Sequence, residues 1–221
     1  MKNELRIEGI YDKRTIQLLL EHNVKDFGFD FCPRSFNFIQ EHIFIKDFIP
    51  VFNQSHKIYL KFSNMNDLMI NRIIKDLSNA NINKENIYFE FTELDKQEEL
   101  VHFQYNFFVH YSQSLNISKI HSEKFKGVIF DFSFLENLHT KNLLNSFISN
   151  FYTQNISILS KELHFILKAD WPSNLIQGLF NLMDFNLLSL PINSNIEICY
   201  RNVDINKLKH EIKLVSKNLI E

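Results

Sequence analysis

Glycine is scarce in this sequence: there are four, at positions 9, 28, 127 and 178 of 221, where an average chain would carry about fifteen. Phosphate and dinucleotide loops need several glycines close together, because the backbone must approach the ligand without a Cβ in the way. No GxGxxG or GxxxxGK[ST] occurs, which excludes Walker-type and dinucleotide-fold enzymes. Cysteine is equally scarce. Cys32 and Cys199 stand far apart without CxxC spacing, which argues against a disulfide framework or a thiolate zinc site and makes the cytoplasm the expected compartment. No HxH or HExxH spacing points to a metal, and neither metal nor cofactor is expected. No apolar run reaches the roughly 18 residues of a membrane span. The opening Met1-Lys-Asn-Glu-Leu-Arg lacks an apolar h-region, so neither membrane insertion nor a secretory signal is expected. One-sided charge is missing too. Lys and Arg number 24 against 26 Asp and Glu, for a net −2, and basic residues mostly have acidic neighbours, so nucleic acid is not an expected partner.

What is present is apolar mass: 45% of positions, 23 of them Phe, ample for a buried core. No Pro/Gly/Ser-rich linker interrupts it, so residues 1–221 read as one domain. Strand patterns fall at residues 5–9, 26–31, 57–62, 87–91, 106–111, 127–132, 163–167 and 187–192. Helical spacing of apolar residues falls at 15–22, 67–80, 141–152 and 205–220. Eight strands alternating with helices over about 220 residues is the arithmetic of a (β/α)8 TIM barrel. The strands are almost continuously apolar, as when both faces are covered. An open doubly wound sheet would show the same alternation and stays as the alternative.

Particular motifs go beyond periodicity. Leu5-Arg-Ile-Glu-Gly-Ile10, then Asp12, a helix, and Val24-Lys-Asp-Phe-Gly-Phe-Asp-Phe-Cys-Pro-Arg-Ser-Phe-Asn-Phe-Ile39 resemble the phosphoribosylanthranilate isomerase family of tryptophan biosynthesis. Its members typically read K-I-C-G-[IL]-T, a helix, then A-D-x-x-G-F-I-F-x-P-K-S-P-R-Y-V. Gly127-Val-Ile-Phe-Asp131 is similar to the family's strand-six L-L-D. Phe165-Ile-Leu-Lys-Ala-Asp-Trp-Pro-Ser-Asn174 is similar to I-L-A-G-G-L-x-P-E-N. Ser194-Asn-Ile-Glu197, with Asp204 and Lys207, follows S-G-V-E…K-D-P-x-K. The resemblance runs from the first strand to the last helix, strong early and weak late. It implies a (β/α)8 barrel with its site at the C-terminal rim, a small-molecule ligand there, and a monomer or homodimer.

The departures carry as much information. The family's general base, the Cys of K-I-C-G, is here Glu8, whereas its general-acid position is kept as Asp131. The Arg of S-P-R-Y-V becomes Asn37. The Gly-Gly after strand seven becomes Ala169-Asp170, the Gly of S-G-V-E becomes Asn195, and the G-G-T-G after strand six has no counterpart in 132–141. In this fold a substrate phosphate sits on bare backbone N–H groups from the last two loops. A carboxylate within about 4 Å of that anion costs on the order of 4 kcal/mol per charge pair at an effective dielectric of 20. The phosphate cradle, and with it the parent activity, is therefore expected to be gone, leaving a barrel that binds another small molecule or a non-catalytic homologue.

An Amadori rearrangement needs one acid and one base of different pKa across a pocket. Glu8 as base and Asp131 as acid would be such a pair if activity is retained. The alternative reading of Glu8 is an ion pair with Lys61 or Lys168. Further candidates for the ligand pocket are Asp30, Arg34, Lys61, Glu90, His110, Lys168, Asp170 and Ser194. Cys32 reads as a free thiol and not a nucleophile, since no His adjoins it. Trp171 reads as a cap on the mouth or as a stacking platform.

Overall fold

The computed structural model describes residues 4–63, 68–80, 82–91, 97–155, 163–171 and 176–218. Eight parallel strands form a closed barrel in sequence order, which settles the choice against an open sheet. They are β1 Glu4–Glu8, β2 Asp26–Asp30, β3 Lys57–Phe62, β4 Ile87–Phe91, β5 Asn106–His110, β6 Phe125–Asp131, β7 His164–Lys168 and β8 Phe185–Pro191. Closure comes from β1 pairing with β8, with Arg6 opposite Ser189 and Glu8 opposite Pro191.

Helices wrap the outside: α1 Lys13–Glu21, the one-turn α2 Glu41–Ile43, α3 Leu68–Asn79, α4 Phe132–Thr140, α5 Leu144–Gln154, α6 Ile176–Leu182 and α7 Ile205–Asn218. Asp12 caps α1, accepting from the Thr15 amide at 3.0 Å, and Ile16, Leu18 and Leu19 turn inward from it. A short antiparallel hairpin, β9 Glu197–Cys199 with β10 Asn202–Val203, precedes α7. None of the described helices is long and apolar enough to cross a membrane.

Two expectations need correction. The run 127–132 does not stay extended to its end, because Phe132 already starts α4. Its Val-Ile-Phe-Asp-Phe pattern fits a strand, but Leu135 and Leu138 give the following turns an inward stripe. The helix read over 141–152 begins only at Leu144, since Asn142 adopts φ 57° and separates α4 from α5. Among the described residues the connections after β4 and β5 are the ones without an α-helix. After β4 the described residues hold only the 3₁₀ segment Gln97–His102, and after β5 the 3₁₀ turn Ile117–Lys119. Aromatic rings cover that side, with Phe103 meeting Phe89 and Phe91 edge-on at 5.3 and 5.1 Å. Residues 67, 172–174 and 219–220 of the sequence reading lie outside the described residues.

Alternation along each strand divides the core in two. Outward residues pack under the helices; Phe29 meets Phe44 and Phe48 edge-on at 4.8 and 5.2 Å. Inward, Tyr59, Phe108, Ile129, Ile166 and Leu187 form a separate buried cluster. Toward the C-terminal ends the interior turns ionic, where barrels of this kind usually place branched apolar side chains.

Candidate functional site

The ionic layer is organised by Arg6, which is 0% exposed. Its Nε donates to Ser189 Oγ at 2.8 Å, Nη2 to Glu8 Oε2 at 2.7 Å and Nη1 to Glu90 Oε1. Its Cζ lies 4.7 Å from the Tyr59 ring centroid. Burial opposes this charge, but the carboxylates of Glu90 and Glu8 outweigh it and hold the guanidinium firmly protonated.

Glu8 is held by three partners. Oε1 lies 2.9 Å from Lys168 Nζ, and Oε2 accepts from both Arg6 and Ser189 Oγ, the latter at 3.0 Å. Gly28 makes room for this, since a Cβ there would come within 2.8 Å of Glu8 Cβ. Burial alone would raise the Glu8 pKa, yet Lys168, then Arg6, hold it well below the usual carboxylate range. Glu8 in turn raises Lys168 against burial, with further help from Asp131. Of the two lysines expected as ion-pair partners of Glu8, Lys168 is the one within salt-bridge distance.

The other half of the mouth centres on Asp30. Its Oδ1 accepts from the Cys32 amide at 2.8 Å, and its Oδ2 accepts from Ser35 Oγ at 2.7 Å and Lys61 Nζ at 2.9 Å. Burial first and Asp30 second push the Cys32 thiol up to about 11, so it is protonated at neutral pH. Glu90 is held below its usual value, burial being overcome by Arg6 and His110. His110 Nε2 stands 3.3 Å from Glu90 Oε2 without the alignment of a hydrogen bond.

Five of the expected residues, Glu8, Asp30, Lys61, Glu90 and Lys168, line one cavity of about 130 Å³ together with Arg6, Ser35, Asn37 and Tyr59. Asp131 ends β6 opposite Lys168 and lies outside that lining, as does His110. Arg34 and Ser194 are exposed on their loops and are also outside it. Arg6, Ser189 and Ser35 were missed. Arg6 was legible: a charge two residues before Glu8 in an apolar strand must share its face.

The last two loops are stitched to each other. Asp170 Oδ1 accepts from the Trp171 amide at 2.8 Å and from Asn193 Nδ2 at 2.7 Å, and Oδ2 accepts from Asn195 Nδ2 at 3.1 Å. The Asn195 amide donates to Asn193 Oδ1 at 2.9 Å, and the Ala169 amide to the Ser189 carbonyl at 2.9 Å. Trp171, 5% exposed, donates Nε1 to the Pro191 carbonyl at 2.5 Å, which makes it a cap and not a stacking platform. Asn37 lies against bare Gly9, whose φ is +73°, and donates to the Ile192 carbonyl at 2.6 Å. The late motif makes local contacts as well. Glu197 accepts from Tyr11, and Asp204 receives the Asn206 and Lys207 amides at the start of α7.

A closed eight-stranded barrel with a polar C-terminal mouth defines a (β/α)8 protein. Compared by sequence, the chain matches no protein-family model and no curated protein. Compared by structure, it is similar to phosphoribosylanthranilate isomerases over its full length. TrpF from Jonesia denitrificans superposes with a TM-score of 0.67 at 10% identity, covering 99% of this chain and 98% of that one. The isomerase of Thermus thermophilus gives 0.63 at 13%, covering 97% and 99%. An isomerase in complex with reduced 1-(o-carboxyphenylamino)-1-deoxyribulose 5-phosphate gives 0.62 at 12%, covering 96% and 97%. The shared property is the fold.

Proposed function

We propose that this chain is a non-catalytic relative of the phosphoribosylanthranilate isomerases, keeping the barrel and a small polar pocket but not the Amadori rearrangement. The observation that carries this reading is the Asp170–Asn193–Asn195 clamp. A carboxylate and two amide side chains stand at the loops where the fold seats a substrate phosphate, and the main-chain amides of Ala169, Trp171 and Asn195 already have acceptors. The state of Glu8 supports it. A general base works best with a pKa near the operating pH, whereas Lys168 and Arg6 drive Glu8 far below it. The ligand of the mouth would be a compact polar molecule, because about 130 Å³ falls short of the roughly 300–1,000 Å³ typical of drug-sized ligands.

The test is complementation of a tryptophan auxotroph lacking its isomerase. No growth is expected. Growth that depends on Glu8 and Asp131 would support the competing reading, an active isomerase with Glu8 as base and Asp131 as acid.

A further inference from the structure

A cavity of about 580 Å³ lies outside the barrel, between the loop after β5 and helix α5. It shares no lining residue with the ionic mouth, and the isomerase reading gives it no task. We propose that it binds a neutral hexose sugar, free or as a disaccharide, with one face of a ring against Tyr111 and Phe147.

The lining is polar without being charged. Asp, Glu, Lys and Arg make up 23% of the chain, yet none of them, and no histidine, is among the described residues that line this cavity. Such a site offers no counter-charge to a phosphate, a carboxylate or an ammonium group. Carboxamides stand there instead. Gln113 and Asn116 come from the loop, and Asn150, Gln154 and Asn155 from α5 and its C-cap. A carboxamide carries an acceptor and two donors on one planar head. Neighbouring hydroxyls of a sugar, each able to donate and to accept, match that head in either orientation.

These heads are open to a ligand. Gln113, Asn150 and Gln154 are exposed, and their side chains have no hydrogen-bond partner among the described residues. Asn116 is oriented by its own turn. Its Oδ1 accepts from the Ser118 amide at 3.1 Å and the Ser118 hydroxyl at 2.5 Å, which leaves Nδ2 as the donating end.

The apolar side selects the shape of the occupant. Tyr111 and Phe147 are partly buried and meet at 5.4 Å and 73°, with Leu115 and Phe151 buried beside them. Rings crossed at that angle make a corner, not the parallel slot that would sandwich a flat heteroaromatic ring. A pyranose has C–H groups on a face and hydroxyls around its edge, so it can pack on the corner while its edge meets the carboxamides. The volume is within the roughly 300–1,000 Å³ typical of ligand pockets.

The experiment titrates the full chain with D-glucose, D-galactose and maltose, using glycerol and D-glucuronate as controls. Backbone and side-chain amide chemical shifts report both affinity and location. At least one of the three sugars should saturate at millimolar concentration, with shifts centred on Gln113, Asn116, Asn150 and Gln154. Glycerol, which has hydroxyls but no ring face, should not saturate, and glucuronate should bind no tighter than the best neutral sugar. Asn150→Ala and Gln154→Ala, both on the exposed side of α5, should each weaken binding about two- to tenfold. Circular dichroism confirms that both variants fold. Saturation by none of the three sugars, an equal response to glycerol, or tighter binding of glucuronate would overturn the proposal. So would full affinity in both variants, or shifts confined to Gly9, Asn37 and Lys168 at the ionic mouth. None of these outcomes bears on complementation, so this site and the proposed loss of isomerase activity stand or fall separately.

Discussion

Lys168 Nζ lies 2.9 Å from Glu8 Oε1, joining the seventh strand to the first across the barrel mouth. Arg6 binds the other oxygen of the same carboxylate and continues to Glu90, so four residues from three parts of the chain share one charge-balancing problem.

Removing one member should be costly because its partners stay buried. Arg6→Met leaves Glu8 and Glu90 without their common counter-charge and should lower stability by about 3–5 kcal/mol. Lys168→Met should cost less, about 2–3 kcal/mol, since Arg6 and Ser189 still serve Glu8. Urea unfolding midpoints of the two variants should follow that order. A Lys168→Met midpoint equal to the parent's would show that the pair adds nothing.

The pH profile should be bounded on both sides. Glu8 and Glu90 have lowered values in the fold, so the folded state binds fewer protons than the unfolded one in the acid range. Their contribution is fully present above the ordinary value of 4.5 and is lost as the pH falls toward their folded values. Asp26 has the opposite sign. Burial pushes it up to about 6, so stability declines as the pH rises from 3.8 through 6. Thermal melts should therefore show maximal stability on the acid side of neutrality. Asp26→Asn, which keeps an acceptor for the Tyr59 hydroxyl, should flatten the profile between about pH 5 and 7 and add on the order of 2 kcal/mol at pH 7. A profile unchanged by this substitution would refute the assignment.

The two cysteines should label at different rates. Cys199 is exposed on the β9–β10 hairpin, while Cys32 is partly buried with its thiol pushed up to about 11. At pH 7.5 iodoacetamide should modify Cys199 first, as read by mass spectrometry of peptides, because the thiolate is the reacting form. Faster modification of Cys32 would contradict the electrostatics given for the loop after β2.

Inorganic phosphate should find no seat at the rim of the native chain. Phosphorus NMR line widths should stay unchanged at millimolar concentrations. Asp170→Gly removes a repulsion of about 4 kcal/mol per charge pair at close range and frees the Trp171 amide. Combined with Asn195→Gly, it should produce measurable broadening. Broadening with the unaltered protein would undo the account of the clamp.

The sequence carried the barrel well because the fold depends on features that are local. Apolar runs of five to seven residues, a turn glycine after the first strand and the Gly28–Ser35 motif are readable without distant partners. The mouth was legible residue by residue but not as a network. Lys61, Glu90 and Lys168 could each be placed at a strand end, whereas the choice of Lys168 as partner of Glu8 depends on strand register across the closed barrel. Arg6 shares a face with Glu8 on its own strand, but its other two acceptors, Ser189 and Glu90, come only with closure of the barrel. Phe132 misled for the reverse reason. Its neighbours favour a strand, and tertiary packing of Leu135 makes it helical.

Among the described residues no α-helix follows β4 or β5, and rings such as Phe103 cover those strands instead. A helix opens as one cooperative unit, whereas separate rings yield one at a time. On warming, the molecule should part along this seam first, with deuterium entering β4 and β5 while β1 and β8, riveted by Arg6 and Ser189, still exclude it.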